Sequence, residues 1–150
     1  PRGLLSSERS NEWMVSAKGT WMANSGGVLK GAEGYVFGAE RPPVKIGGRA
    51  VAFLSDEYLL VYERSERLVW KRGRTAMVAP PFWNHLRIVP RIRIVIFDCR
   101  DHQVVACSRW FTWISEPRIT PDRSRVLAEQ RVLAEHEGDI LVWEIPEFIR

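Results

Sequence analysis

From Arg91 to Asp98 the chain reads RIRIVIFD, and the isoleucines fall on alternate positions. Ile92, Ile94 and Ile96 share one parity, and Arg91, Arg93 and Val95 share the other. Successive side chains of a strand point to opposite faces, so this alternation predicts a β-strand with one apolar side. Arg100, Asp101, His102 and Gln103 interrupt the run with polar residues suited to a hairpin loop. Val104 to Ile114 (VVACSRWFTWI) resumes it as the partner strand.

Pairing Asp98 with Ala106 sets Val95 opposite Arg109, Arg93 opposite Phe111 and Arg91 opposite Trp113. One face then carries Arg91, Arg93, Arg109, Phe111 and Trp113. The other carries Ile92, Ile94, Ile96, Ala106 and Trp110. A slip of one residue exchanges the two faces, so this register is an assumption of the reading.

Short apolar runs separated by turn residues occur on both sides of this hairpin. Glu12–Ala17 predicts a first strand, and Lys18-Gly19 a turn into Thr20–Met22. Asn24–Gly27 has loop composition, and Tyr35–Phe37 is a short apolar piece. Arg41-Pro42-Pro43 and Gly47-Gly48 bracket a short linker-like piece. Strands are expected over Arg49–Leu54, Tyr58–Glu63, Arg67–Lys71 and Arg74–Ala79, with turns at Ser55–Glu57, Arg64–Glu66 and Arg72-Gly73. Phe82–His85 is an aromatic link. Pro1 to Asn11 is polar and aperiodic, as a flexible arm would be, which leaves residues 12–150 as one β-rich domain.

Near the C-terminus the pattern changes. Thr120-Pro121-Asp122 resembles a helix start, and Gly138 a helix stop. Between them Arg125 and Glu129, and Arg131 and Glu135, are spaced as i,i+4 ion pairs. This predicts one helix over Ser124–Glu137, followed by a last strand at Ile140–Ile145. The expected fold is mainly β (α+β): an antiparallel β-sandwich or barrel of about eight short strands with one C-terminal helix.

Charge adds one thing to this picture. The chain has 150 residues and a net charge of +4. Of its 22 basic residues 18 are arginine, whose planar guanidinium suits phosphate and stacks on rings. GC-rich coding would give the same bias. Residues 64–125 hold thirteen basic and five acidic side chains, and residues 126–150 hold two and six. Opposite patches on identical subunits can be complementary, so a homo-oligomer is expected.

The candidate chemistry is sparse. His85, His102 and His136 have no metal-ligand spacing with each other or with Cys99 and Cys107, so no metal and no cofactor are expected. Asp98, Cys99 and His102 cluster at the hairpin tip, but no orienting partner for a nucleophile is visible, and no catalytic residue is assigned. The glycines at 31, 34 and 38 match no phosphate loop. The two cysteines are not opposite one another in the assumed pairing, which fits a reducing, intracellular (cytoplasmic or nuclear) setting. No apolar run is long enough to span a membrane.

Arg91, Arg93, Arg109, Phe111 and Trp113 are therefore the candidate site. Guanidiniums neutralise phosphates and rings stack on bases, so the leading expectation is a non-enzymatic domain that binds RNA or single-stranded nucleic acid. The plainer role for the same residues is arginine stems covering exposed rings. The alternative function is a structural or assembly protein, a self-associating β-sandwich subunit of a shell or scaffold.

Overall fold

The computed structural model describes residues 13–24, 34–70, 86–131 and 138–150, apart from the side chains of 68–70, 86, 87 and 131. The expected N-terminal arm, the strand at Arg74–Ala79, the link Phe82–His85 and the second half of the expected helix, residues 132–137, lie outside the described residues.

Eleven strands form three antiparallel sheets among the described residues. The first sheet contains β1 (Trp13–Val15), β2 (Trp21–Asn24), β3 (Gly34–Gly38) and β4 (Arg41–Ile46), in that order. The second contains β5 (Gly48–Phe53), β6 (Tyr58–Trp70), β7 (Leu86–Asp98) and β8 (Gln103–Cys107), again in chain order. The third contains β9 (Arg118–Ile119), β10 (Arg125–Arg131) and β11 (Gly138–Glu144), with β10 in the middle.

The second sheet is the centre of the packing. Leu60, Ile92, Ile94 and Ile96 point to one side and join Val126, Ala128 and Ile145 in a buried cluster. Leu59, Val61, Val95 and Phe97 point to the other side and join Trp21, Ala23, Val36 and Ile46. A sheet covered on both faces needs apolar residues at both parities. That is why Ile94, Val95, Ile96 and Phe97 are consecutive and all buried. Alternation is kept only at Arg91 and Arg93, beyond the covered part of β7.

Three expectations are corrected. Residues 125–131 are a strand, not the first half of a helix. Val126 and Ala128 are buried while Leu127 and Glu129 are half-buried, so the operating period is two. Arg125 pairs with Glu144 across the sheet and Val126 with Trp143. The cap-like residues close a β-turn instead: the Ser124 hydroxyl donates to Asp122 at 2.6 Å, and Arg123 takes a positive φ of 55°. Among the described residues the helical content is one 3-10 turn, Glu147–Ile149.

The second correction concerns Arg64-Ser65-Glu66, which lie within the single 13-residue strand β6 rather than in a turn. They are polar because they are exposed, and none is a glycine, proline or asparagine that would favour reversal. The third concerns Arg41-Pro42-Pro43, which begin β4. That strand is at the edge of its sheet, where a proline need not donate to a ladder.

Candidate nucleic-acid interface

The hairpin register differs from the assumed one. Asp98 pairs with Gln103 and Phe97 with Val104, leaving a four-residue loop in which His102 has a φ of 56°. The ladder then shifts, so that Ile96 faces Ala106 and Val95 faces Cys107 rather than Arg109. Val105 is the extra residue of this bulge. A second irregularity follows, because Ile92 pairs with Phe111 in an isolated bridge. Each bulge inserts one residue, so the two together restore the parity set by the Asp98–Gln103 pair, which is opposite to that of the assumed Asp98–Ala106 pair because the two differ by three residues.

The consequence falls on the aromatics. Phe111 lies on the isoleucine side, 6% exposed, packed in the core with Ile92 and Ile94. The Arg109 guanidinium caps its ring at 5.0 Å from the centroid. Trp110, assigned to the apolar side by the assumed pairing, instead meets the arginines. Arg91 lies over its ring at 4.8 Å and Arg93 at 4.5 Å. Trp113 is 39% exposed and is not among the rings beneath Arg91 or Arg93. The structure thus brings together Arg91 and Arg93 from the predicted set, adds Trp110, and separates Phe111.

Arg93 is the best anchored of these residues. Its Nε donates to Glu63 at 2.6 Å, and Glu63 is its direct partner in the β6–β7 ladder. This hydrogen bond is the main reason its pKa lies above the ordinary arginine value. The same parity continues along the ladder, where Arg91 faces Ser65 and Arg67 faces Val89. Ser65 and Arg67 are exposed and Arg91 is half-buried. Three guanidiniums and one carboxylate therefore share this face. A guanidinium can meet a phosphate through two parallel hydrogen bonds, although the Nε of Arg93 is already taken by Glu63.

The hairpin tip has a different character. Cys99 is fully buried, and burial, with Asp98 and Asp56 nearby, pushes its thiol up to about 12. A thiol of that pKa carries almost no thiolate at neutral pH and is a poor nucleophile. Asp98 is locked into its own loop, accepting from the Arg100 backbone at 2.8 Å and pairing with the Arg100 guanidinium at 3.2 Å. The His102 ring stands edge-on to Trp21 at 6.4 Å. Cys99 and Cys107 are both free.

A surface groove of about 860 Å³ runs past Val51, Glu116, Arg118 and Glu129. None of the arginine-face residues lines it. Among the described residues no group of three histidine, cysteine, aspartate or glutamate side chains is placed to share a metal ion. No helix among them is long and apolar enough to cross a membrane.

Sequence reasoning missed Trp110 because the assumed pairing of Asp98 with Ala106 is three residues from the observed pairing with Gln103, and an odd slip sends the ring to the other face. No known protein family, curated protein or solved structure matches the chain.

Proposed function

We propose that this chain is a non-enzymatic nucleic-acid-binding domain, with RNA or single-stranded nucleic acid as ligand, built as a sandwich-type β fold. The observation that carries the reading is the Trp110 ring beneath Arg91 and Arg93, at 4.8 and 4.5 Å. Guanidinium planes held over a ring offer both a stacking surface for a base and donors for the adjoining phosphate. Arg67, exposed and on the same parity of the β6–β7 ladder, adds a further positive charge to this face. An intracellular setting agrees with the two free thiols.

Fluorescence anisotropy with a labelled single-stranded RNA tests it. Affinity falls with salt by ~0.7 log units per log unit for each phosphate contact. Arg91→Ala lowers that slope. Trp110→Ala weakens binding by roughly 1–3 kcal/mol and leaves the slope nearly unchanged. Absence of binding at low salt ends this proposal.

One observation favours self-assembly as a second reading. Among the described residues strand β11 is at a sheet edge; it contains no proline or lysine and exposes Ile140 and Val142 at 73% and 53%. Edges of this kind accept another strand. Its own Asp139 and Glu144 are acidic, and the middle of the chain is basic, so a second copy of this chain is the natural partner. Light scattering at low salt and high protein concentration separates the two readings: a monomer alone removes the second.

A further inference from the structure

Strands β1, β2 and β3 carry apolar side chains at both parities. Trp21, Ala23 and Val36 point inward and join the buried cluster against the second sheet. The ladders set the intervening residues in two rows across the opposite face. In one row Val15 pairs with Met22 and Met22 with Phe37. In the other Trp13 pairs with Asn24, Asn24 with Tyr35 and Tyr35 with Lys45. Rings join the rows: the Trp13 and Phe37 centroids are 5.4 Å apart, and those of Tyr35 and Phe37 6.4 Å. An antiparallel sheet with one solvated face alternates apolar inside with polar outside. The first sheet does not.

This outward face is exposed. Trp13, Val15, Met22 and Tyr35 are each between 38% and 56% accessible. At roughly 150–250 Å² for a large side chain, they present on the order of 400 Å² of contiguous apolar surface. Single apolar residues on a surface need no explanation, but a patch of this size marks an interaction site.

The make-up of the patch selects its occupant. Tryptophan, tyrosine, phenylalanine and methionine are enriched at the centre of protein–protein interfaces, where charge is depleted. Lys45 is the one charged residue in the two rows. A nucleic acid would need several cations here for its phosphates, and an anionic membrane a cluster of them. Val15 and Met22 have no ring on which a base could stack. A face without a charge pattern is complementary to itself. Two copies packed face to face, with their sheets ~10 Å apart, cover both patches. With the stems of Phe37, Asn24 and Lys45 included, the contact buries roughly 1,000–1,200 Å² in total, the lower limit for a specific interface.

We infer that this chain dimerises through the outer face of its first sheet, each copy covering the Trp13, Val15, Met22 and Tyr35 patch of the other. The nucleic-acid reading, whose arginines lie on β7, is not needed for this, and the contact differs from one at the β11 edge. An interface of this size is expected to dissociate in the micromolar range.

Sedimentation equilibrium of the full chain across that range, at low and at high salt, tests it. A concentration-dependent dimer is expected, as tight at high salt as at low, because screening acts on charges. Met22→Glu places a charge in the middle of the patch and should raise the dissociation constant about tenfold or more, with the urea midpoint unchanged. If that variant fails to fold, Trp13→Ser, at an exposed position, serves in its place. Ile140→Glu should leave the dimer intact; a dimer that only this variant dissociates is made at the β11 edge and overturns the inference. A dimer that high salt dissociates overturns it too, as does a parent that stays monomeric. With a monomeric parent, binding to phosphatidylserine-containing vesicles that Met22→Glu abolishes would assign the face to a lipid surface. Loss of single-stranded RNA binding in the same variant would assign it to nucleic acid.

Discussion

Phe111 is buried among Ile92, Ile94 and Trp143, while Trp110, one residue earlier, lies on the opposite side beneath two guanidiniums. Their substitutions should separate cleanly. Phe111→Ala opens a cavity in the core and is expected to cost about 3–5 kcal/mol in urea unfolding. Trp110→Ala removes cation–π contacts at a surface site and should cost about 1 kcal/mol. A reversed order of the two would refute the register described above. The candidate residues were legible as types, because arginines and rings do meet at this end of the hairpin. Which ring meets which arginine was not legible. An odd slip of the hairpin register leaves no mark in the hydrophobic pattern when both Trp110 and Phe111 are large aromatics.

At the scale of elements, backbone approach sets limits that side-chain pattern hides. Gly48 starts β5, and a Cβ there would lie 2.4 Å from the Tyr62 carbonyl oxygen and 2.6 Å from the Glu63 Cα. Both obstacles are backbone, so neither can rotate away. Gly48→Ala should therefore destabilise the protein by roughly 1–3 kcal/mol, the range for overpacking a tight site. It should also disturb Glu63 and so the anchor of Arg93. An unchanged denaturation midpoint would show that β5 and β6 are not this close. The strands themselves were largely visible, since β-branched residues recur between turn residues from Arg49 onward. The helix was misread because Arg125–Arg131 satisfies two periods at once. Its i,i+4 charges match a helix turn, while Val126 and Ala128 match one face of a strand. Burial against Ile94 and Ile145 decides between them, and that information lies in distant parts of the chain. Arg64–Glu66 was misread for the complementary reason: a strand segment exposed at both parities has no apolar alternation to report it.

For the whole molecule, three aspartates fasten turns, two of them in the second sheet and one in the third. Asp56, in the β5–β6 turn, accepts from the Ser16 hydroxyl at 2.7 Å and the Lys18 amide at 2.9 Å, and so joins the first sheet to the second. Asp98 closes the β7–β8 turn, and Asp122 the β9–β10 turn. All three carboxyls are held below the ordinary aspartate value of 3.8. Hydrogen bonding to Ser16 is the main cause at Asp56, and to Ser124 at Asp122. At Asp98 burial alone would raise the value, but its bonds with Arg100 and Asp101 together outweigh it. A carboxyl with a lowered folded-state pKa binds protons more readily when unfolded. Its contribution is thus complete above the unfolded value and is lost as pH falls through the folded one. Stability should accordingly be flat with respect to these groups from pH 7 to about 5 and fall below about pH 4. Asp56→Asn should flatten that acid limb, because the amide can still accept from Ser16 but has no proton to gain. Thermal unfolding followed between pH 7 and 3 measures both. A variant whose acid limb matches the parent's would mean that the clasp between the first two sheets is not made through the Asp56 carboxylate.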